Sequence, residues 1–96
     1  MPMYIIERKV PGIHTLSAQQ LAEISAKSNG VLDQLPREIQ WIQSYVTEDK
    51  LYCVYRSPDE EMIRKHAITG GFPADRISRF DTIIGPQTAD TLVAVS

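Results

Sequence analysis

Hydrophobic and polar positions divide the chain into six segments, each with the period of a strand or of a helix. Four segments are rich in β-branched and aromatic residues and are bounded by Pro, Gly or polar turns, as strands are: residues 3–10, 39–47, 51–56 and 76–84. Two segments repeat apolar residues at three-and-four spacing, the period of one helical face: residues 18–35 and 58–69. The predicted order is β-α-β-β-α-β.

Capping residues predict where each helix begins. Ser17 is a good N-cap for the first helix, and Gln20 three residues later completes a capping box. For the second helix, Ser57 is the expected N-cap, Pro58 the first helical residue and Glu60 the partner in the capping box. The helices are expected to end at two breakers, Leu35-Pro36 and Gly70-Gly71.

This order predicts a ferredoxin-like α+β fold. Two right-handed crossovers and one hairpin give a four-stranded antiparallel sheet with both helices on one face and the first and third strands in the centre. A chain of 96 residues has the size of a single domain, here residues 1–96 with a core over about residues 3–86. Residues 87–96 form a C-terminal arm, in which residues 91–95 are either an extra edge strand or an ordered extension.

Composition narrows the classes of partner. The net charge of −2 and the absence of a basic run argue against nucleic acid, and we interpret the small basic groups at residues 64–66 and 76–79 as solvated charges. No apolar run approaches the roughly 18 residues of a membrane span. The single cysteine, Cys53, excludes an intrachain disulfide, and no signal peptide is visible, so we expect a reducing, cytoplasmic location.

The predicted hairpin carries four aromatic residues, and its turn length decides which face each one occupies. A two-residue turn groups Trp41, Tyr45, Tyr52 and Val54 on one face. A three-residue turn groups Trp41, Tyr45, Cys53 and Tyr55 instead. Either one set fills the core while the other covers a dimer surface, or Trp41, Tyr45 and Tyr52 line a small-molecule or cofactor pocket.

Three residues from three elements are candidate metal ligands: His66, Cys53 and Glu7. His66 lies beside the apolar stripe of the second helix, Cys53 lies in the third strand, and Glu7 interrupts an apolar central strand. Mixed nitrogen, sulfur and oxygen donors suit nickel, cobalt or zinc. The alternatives are that His66 is a packed core histidine, that Cys53 acts as a small hydrophobic residue, and that Glu7 faces solvent beside Arg8 or Lys9. His14, in a loop, is expected to be exposed.

Other catalytic signatures are absent from the sequence. It contains no Gly-x-Ser-x-Gly motif and no Cys-x-x-Cys or His-Glu-x-x-His motif. Gly70-Gly71 follows a helix and is interpreted as a C-cap, not as a phosphate-binding loop.

The hairpin over residues 40–55 resembles that of a bacterial family of small proteins typified by a nickel-responsive, nickel-binding ferredoxin-like dimer. Four further segments and one residue carry the resemblance: Tyr4-Ile5-Ile6-Glu7-Arg8, Ser57-Pro58-Asp59-Glu60, His66, Gly71-Phe72-Pro73-Ala74-Asp75-Arg76-Ile77 and Ile84-Gly85-Pro86. The resemblance covers about residues 3–88 and implies a small homodimer that binds nickel. It does not imply an enzyme, and the tail after Pro86 goes beyond the shared pattern.

Three functions follow as hypotheses. The first is binding of a divalent cation, nickel preferred, by a homodimer through His66 with Glu7 or Cys53. The second is a cofactor-free dimeric α+β barrel enzyme of the monooxygenase or isomerase type, with His66 as general base. The third is a non-catalytic interaction module that uses the aromatic sheet face.

Overall fold

A computed structural model describes residues 2–34 and 39–90 of the protein. The helices and strands are β1 Met3–Lys9, α1 Ala18–Asp33, β2 Gln40–Val46, β3 Lys50–Arg56, α2 Glu60–Gly70 and β4 Arg76–Phe80. Short 3-10 helices occupy Ile13–Thr15 and Pro86–Ala89. Two expectations, the helix end at Leu35-Pro36 and the edge strand over residues 91–95, lie outside the described residues.

The four strands form one sheet in the order β2-β3-β1-β4, with every neighbouring pair antiparallel. Strands β1 and β3 are central, and both helices pack on the same side of the sheet. The predicted ferredoxin-like fold is therefore confirmed. We call the covered side of the sheet the helix face and the other side the open face.

The core lies between the helix face and the two helices. In β1, the side chains of Tyr4 and Ile6 point to this face, and in β3 those of Cys53 and Tyr55 do the same. Ile63 of α2 is completely buried against them. Burial of each such apolar side chain contributes about 1.5–3 kcal/mol to folding, so these few residues hold the helices to the sheet.

The two helix starts differ in how well the sequence predicts them. The capping box of α1 is present: the Gln20 N–H donates to Ser17 Oγ at 3.1 Å, and the Ser17 N–H donates to Gln20 Oε1 at 2.9 Å. The predicted start of α2 is wrong by two residues. Its N-cap is Asp59, whose carboxylate accepts a hydrogen bond from the Met62 N–H at 2.9 Å.

Ser57 cannot cap α2 because its hydrogen-bonding groups are already engaged. It is fully buried, its N–H donates to the Pro2 carbonyl, and its hydroxyl donates to the Asp59 carbonyl at 2.8 Å. Pro58 therefore lies before the helix and not at its first position. Ser57 links the entry of α2 to the start of β1.

Strand β4 ends at Phe80, four residues before the predicted end at Ile84. Its pairing partner is β1, and the last pair is Met3 with Phe80. Pro2 has no N–H to donate, so the backbone hydrogen bonds between β1 and β4 do not continue beyond that pair. Ile83 and Ile84 are accordingly exposed.

The hairpin follows neither of the two predicted registers over its whole length. The Thr47 N–H donates to the Lys50 carbonyl, so the turn has two residues, and Tyr45 pairs with Tyr52 on the open face. A bulge between Trp41 and Gln43 then shifts the alternation. As a result, Trp41 pairs with Tyr55 on the helix face.

Two glycines end α2 and direct the chain back toward the sheet. Gly71 has φ of 69°, the left-handed conformation that glycine adopts without strain. A methyl group on Gly70 would lie 2.2 Å from the Phe72 ring, so the absence of a side chain at residue 70 permits this ring to pack there. Phe72 thereby packs against the core between α2 and β4.

A pair of alanine substitutions tests the role of this turn. Gly71→Ala should lower the free energy of unfolding by about 1 kcal/mol, because an alanine is strained at positive φ. Gly30→Ala, in α1 with no atom near the added methyl group, should raise it by about 0.5–1 kcal/mol. Urea denaturation of both variants measures the difference, and equal effects of the two substitutions would contradict the assigned turn geometry.

Candidate functional site

The three predicted metal ligands do not converge, and the alternation of side chains in β1 is the reason. Glu7 pairs with Tyr52, and both side chains lie on the open face. Cys53 and His66 lie on the opposite side of the sheet, among the core residues beneath the helices. One chain therefore does not bring all three of these side chains into one site.

Glu7 has an ion-pair partner on the open face. Its carboxylate accepts a hydrogen bond from Lys50 Nζ at 2.6 Å, and this contact raises the pKa of Lys50. A shallow depression beside the pair is lined by Ile5, Glu7, Tyr52, Arg76 and Ser78. The carboxylate is partly exposed, so it remains accessible from the open side.

His66 is completely buried between aromatic rings. Its ring centroid lies 5.4 Å from that of Tyr55 and 5.4 Å from that of Phe72. Nε2 lies 3.3 Å from Ser28 Oγ, at hydrogen-bond distance, whereas Nδ1 has no hydrogen-bond partner among the described residues. Burial, reinforced by the nearby charge of Arg8, lowers the pKa of His66 to about 4, so the imidazole is neutral at pH 7.

Cys53 is a buried free thiol on the same side of the sheet as His66. Within residues 2–34 and 39–90, no three His, Cys, Asp or Glu side chains are grouped closely enough to hold a metal ion. His66 and Cys53 are thus the predicted ligands that share one side of the sheet, and they lack a third.

The three aromatic residues predicted to line one pocket are also divided by the sheet. Tyr45 and Tyr52 lie on the open face, whereas Trp41 lies on the helix face and donates from Nε1 to Ser44 Oγ at 2.9 Å. The bulge between Trp41 and Gln43 accounts for the separation. A shared surface of Trp41, Tyr45 and Tyr52 is therefore absent.

A cavity of about 190 Å³ lies on the helix face, beneath the N-terminal half of α1. Helix α1 contributes Leu21, Ile24, Ser25 and Ser28 to its wall, and the sheet contributes a larger set: Arg8, Trp41, Ser44, Val46, Leu51, Cys53 and Tyr55. Ile13 and Phe72 complete the lining. His66 lies outside the wall, so it is not placed to act as a general base on a molecule in the cavity.

Arg8 is the functional candidate that the sequence analysis missed. It is only 3% exposed, and its Nη1 donates to the Pro73 carbonyl. The guanidinium lies 5.8 Å from the centre of the Phe72 ring, and Nη2 has no partner among the described residues. The signal in the sequence was the interruption of an apolar strand by charge, which pointed equally well to Glu7.

The remaining sequence candidates lie on the surface. Among them, His14 is exposed and its Nδ1 lies 2.6 Å from the Glu48 carbonyl. Arg64 forms an i,i+4 ion pair with Glu60 at 2.9 Å.

Neither described α-helix combines the length and the apolar character that crossing a membrane requires.

The depressed pKa of His66 predicts a specific loss of stability in acid. The unfolded chain takes up a proton near pH 6.5, while the folded chain resists protonation down to about pH 4. The contribution of this group is therefore complete above pH 6.5, and about 3 kcal/mol of it is lost as the pH falls to 4. Urea titrations between pH 6.5 and pH 4 should show that the free energy of unfolding declines less for His66→Gln than for the unmodified protein.

The exposed histidine provides the matched control for that experiment. His14→Gln replaces an exposed ring outside the core, and it should not reproduce the smaller decline expected of His66→Gln. Parallel curves for the His66→Gln protein and the unmodified protein would show that His66 takes up its proton equally in the folded and unfolded states.

Comparison with known proteins shows which family and which solved structures this chain is similar to. The sequence profile of the family described as "Nickel responsive protein SCO4226-like" matches residues 4–79, which is most of the chain. No curated protein matches the chain in sequence.

Two solved structures are similar in shape. The crystal structure of SCO4226 from Streptomyces coelicolor A3(2) aligns with a TM-score of 0.71 and 15% identity, covering 85% of this chain and 99% of that one. A REP-associated tyrosine transposase bound to a REP hairpin aligns with a TM-score of 0.48 and 8% identity, covering 94% of this chain and 61% of that one, which is too weak a likeness to support an inference. With the family profile spanning both α-helices and all but the first and last residues of the sheet, the chain belongs to the SCO4226-like family of nickel responsive proteins.

Proposed function

We propose that this protein binds a divalent cation, with nickel preferred, and that it does so as a homodimer. The observation that carries the proposal is the match of residues 4–79 to a family described as nickel responsive. The likeness in shape to SCO4226 supports the shared fold and adds nothing about the ligand.

His66 supports a metal-binding role by its chemistry. A neutral imidazole is the commonest metal ligand in proteins and suits nickel. The fall in the pKa of His66 to about 4 keeps its ring neutral at pH 7, and its Nδ1 is buried without a hydrogen-bond partner among the described residues. Leaving such an atom unsatisfied costs about 1–3 kcal/mol, which coordination of a metal would offset. Cys53 is the second donor proposed on this side of the sheet.

The donors fit the metal only in part. His66 and Cys53 are two ligands, and the described part of the chain groups no third His, Cys, Asp or Glu with them. Because His66 is completely buried, donors from a second protomer reach it only if the structure moves. Glu7, partly exposed on the open face, is the predicted ligand that a second copy can approach directly.

The open face supports the homodimer. No helix among the described residues covers it, and it carries the aromatic pair Tyr45 and Tyr52 beside Ile5 and Val54. Tyr45 is 54% exposed. A domain of this size buries a smaller fraction of its surface than a large domain does, so a second copy against this face would shield side chains that the helices cannot reach. The single free cysteine supports the cytoplasmic location expected from the sequence.

Calorimetric titration of the metal-free protein with nickel tests the proposed function. Saturable binding tighter than about 100 μM is expected. His66→Ala should weaken it by about tenfold or more, since one coordinating nitrogen is lost. Because that variant removes a core side chain, its fold is checked by circular dichroism, and Cys53→Ser provides a milder second substitution whose effect should go in the same direction.

His14→Ala is the control for the nickel titration, because it removes an exposed imidazole and should leave the affinity unchanged. Glu7→Gln distinguishes a site beneath the helices from one on the open face. Absence of saturable nickel binding to the unmodified protein would rule out the proposal, and a loss confined to Glu7→Gln would move the site to the open face.

Sedimentation at micromolar concentration tests the homodimer. The unmodified protein should sediment as a dimer, and Tyr45→Lys should shift it toward the monomer because it places a charge on the open face. The matched control is Ile68→Lys, which changes an apolar residue that is 81% exposed on α2. If Ile68→Lys dissociates the dimer and Tyr45→Lys does not, the interface lies on the helices instead.

A further inference from the structure

Arg8 carries a buried positive charge that the described residues leave without a counterion. The ion pairs among those residues are Glu7 with Lys50 and Glu60 with Arg64, and Arg8 takes part in neither. An arginine side chain stays charged at any physiological pH, and a buried charge without a partner costs several kcal/mol. The Pro73 carbonyl and the Phe72 ring offset part of this cost, but neither carries a negative charge.

The charge lies in the wall of the cavity beneath α1. The other lining residues include no aspartate and no glutamate, and most of them are apolar. Polar groups other than Arg8 are largely engaged: Ser25 donates to the Leu21 carbonyl, Ser44 accepts from Trp41, and Ser28 contacts His66. Arg8 is the charged residue of this wall, and its Nη2 is buried without a hydrogen-bond partner among the described residues.

The size of the cavity limits the ligand. Its volume of about 190 Å³ exceeds the roughly 150 Å³ of an engineered apolar cavity that binds benzene. A ring-sized apolar body with one small polar group therefore fits within it. Ligand pockets of this kind combine apolar walls with a few polar groups that fix the orientation.

We propose that this cavity binds a small monocarboxylate with an apolar, ring-sized body. The carboxylate accepts a hydrogen bond from Arg8 Nη2 and neutralises the guanidinium, for which a planar anion is the natural partner. The apolar body packs against Leu21, Ile24 and Trp41. A cation would be repelled by Arg8, and a neutral apolar molecule would leave its charge unpaired.

This site differs from the proposed nickel site in its chemistry and in its test. Its anion is held by Arg8, whereas the nickel proposal uses His66, Cys53 and Glu7, of which only Cys53 also lines the cavity. The experiments described next are carried out in the presence of a chelator. Binding of the carboxylate under those conditions is independent of any metal.

Calorimetric titration with benzoate, compared with benzamide, tests the proposal in a chloride-free buffer. The two probes share the ring and differ in charge. Benzoate should bind saturably and at least tenfold more tightly than benzamide, because benzamide cannot neutralise the guanidinium. Benzoate should also perturb the amide resonances of residues on β1 and α1 that border the cavity.

Two substitutions and a control locate the binding. Arg8→Met should abolish the preference for benzoate over benzamide, and Ser25→Leu should weaken both probes by filling the cavity from α1 while Arg8 is retained. Arg64→Met, which removes an exposed arginine on α2 outside the cavity, should leave both affinities unchanged.

Each adverse result overturns the proposal in a distinct way. Equal affinity for benzoate and benzamide would show an apolar cavity without an anion subsite. Absence of binding by either probe would show that the cavity does not take ligands of this size. Loss of benzoate binding in Arg64→Met, with binding retained in Arg8→Met, would place the anion on the surface of α2.

Discussion

The alternation of side chains along β1 determines how the rest of the molecule is arranged. This strand lies between β3 and β4, so its residues 3–7 have paired neighbours on both sides, and Arg8 and Lys9 have one on β3. Its even-numbered residues, Tyr4, Ile6 and Arg8, point under the helices, and its odd-numbered residues point to the open face. A shift of one residue would exchange the two sets and bring Glu7 into the core in place of Arg8.

The two possible phases of β1, with either its odd-numbered or its even-numbered side chains under the helices, also explain which parts of the structure the sequence can predict. The order of elements, the central strands and the cap at Ser17 depend on local pattern and were predicted correctly. The inward residue of β1 was not, because both phases of the strand read as two apolar residues followed by a charge. The face of Trp41 was not predictable either, since a bulge involves one extra residue and leaves no distinctive composition in Gln40–Val46.

A polar cluster lies within the apolar layer between sheet and helices. Arg8, His66, Tyr55 and Ser28 are all buried there, and Phe72 packs against both the guanidinium and the imidazole. Burial raises the pKa of Tyr55 and, with the charge of Arg8, lowers that of His66, so the layer holds one fixed charge and two neutral titratable groups. A well-packed apolar set would be expected to be at least as stable, which is why such clusters suggest binding functions.

The bulge in β2 has a consequence for how the molecule behaves in a crowded solution. Strand β2 is one of the two outer strands of the sheet, where unpaired backbone groups can template the addition of another chain. An extra residue between Trp41 and Gln43 breaks the regular spacing of the unpaired backbone groups and twists this edge of the sheet. The irregularity thus discourages open-ended stacking of sheets from molecule to molecule, while the broad surface of the same sheet stays free for a closed contact.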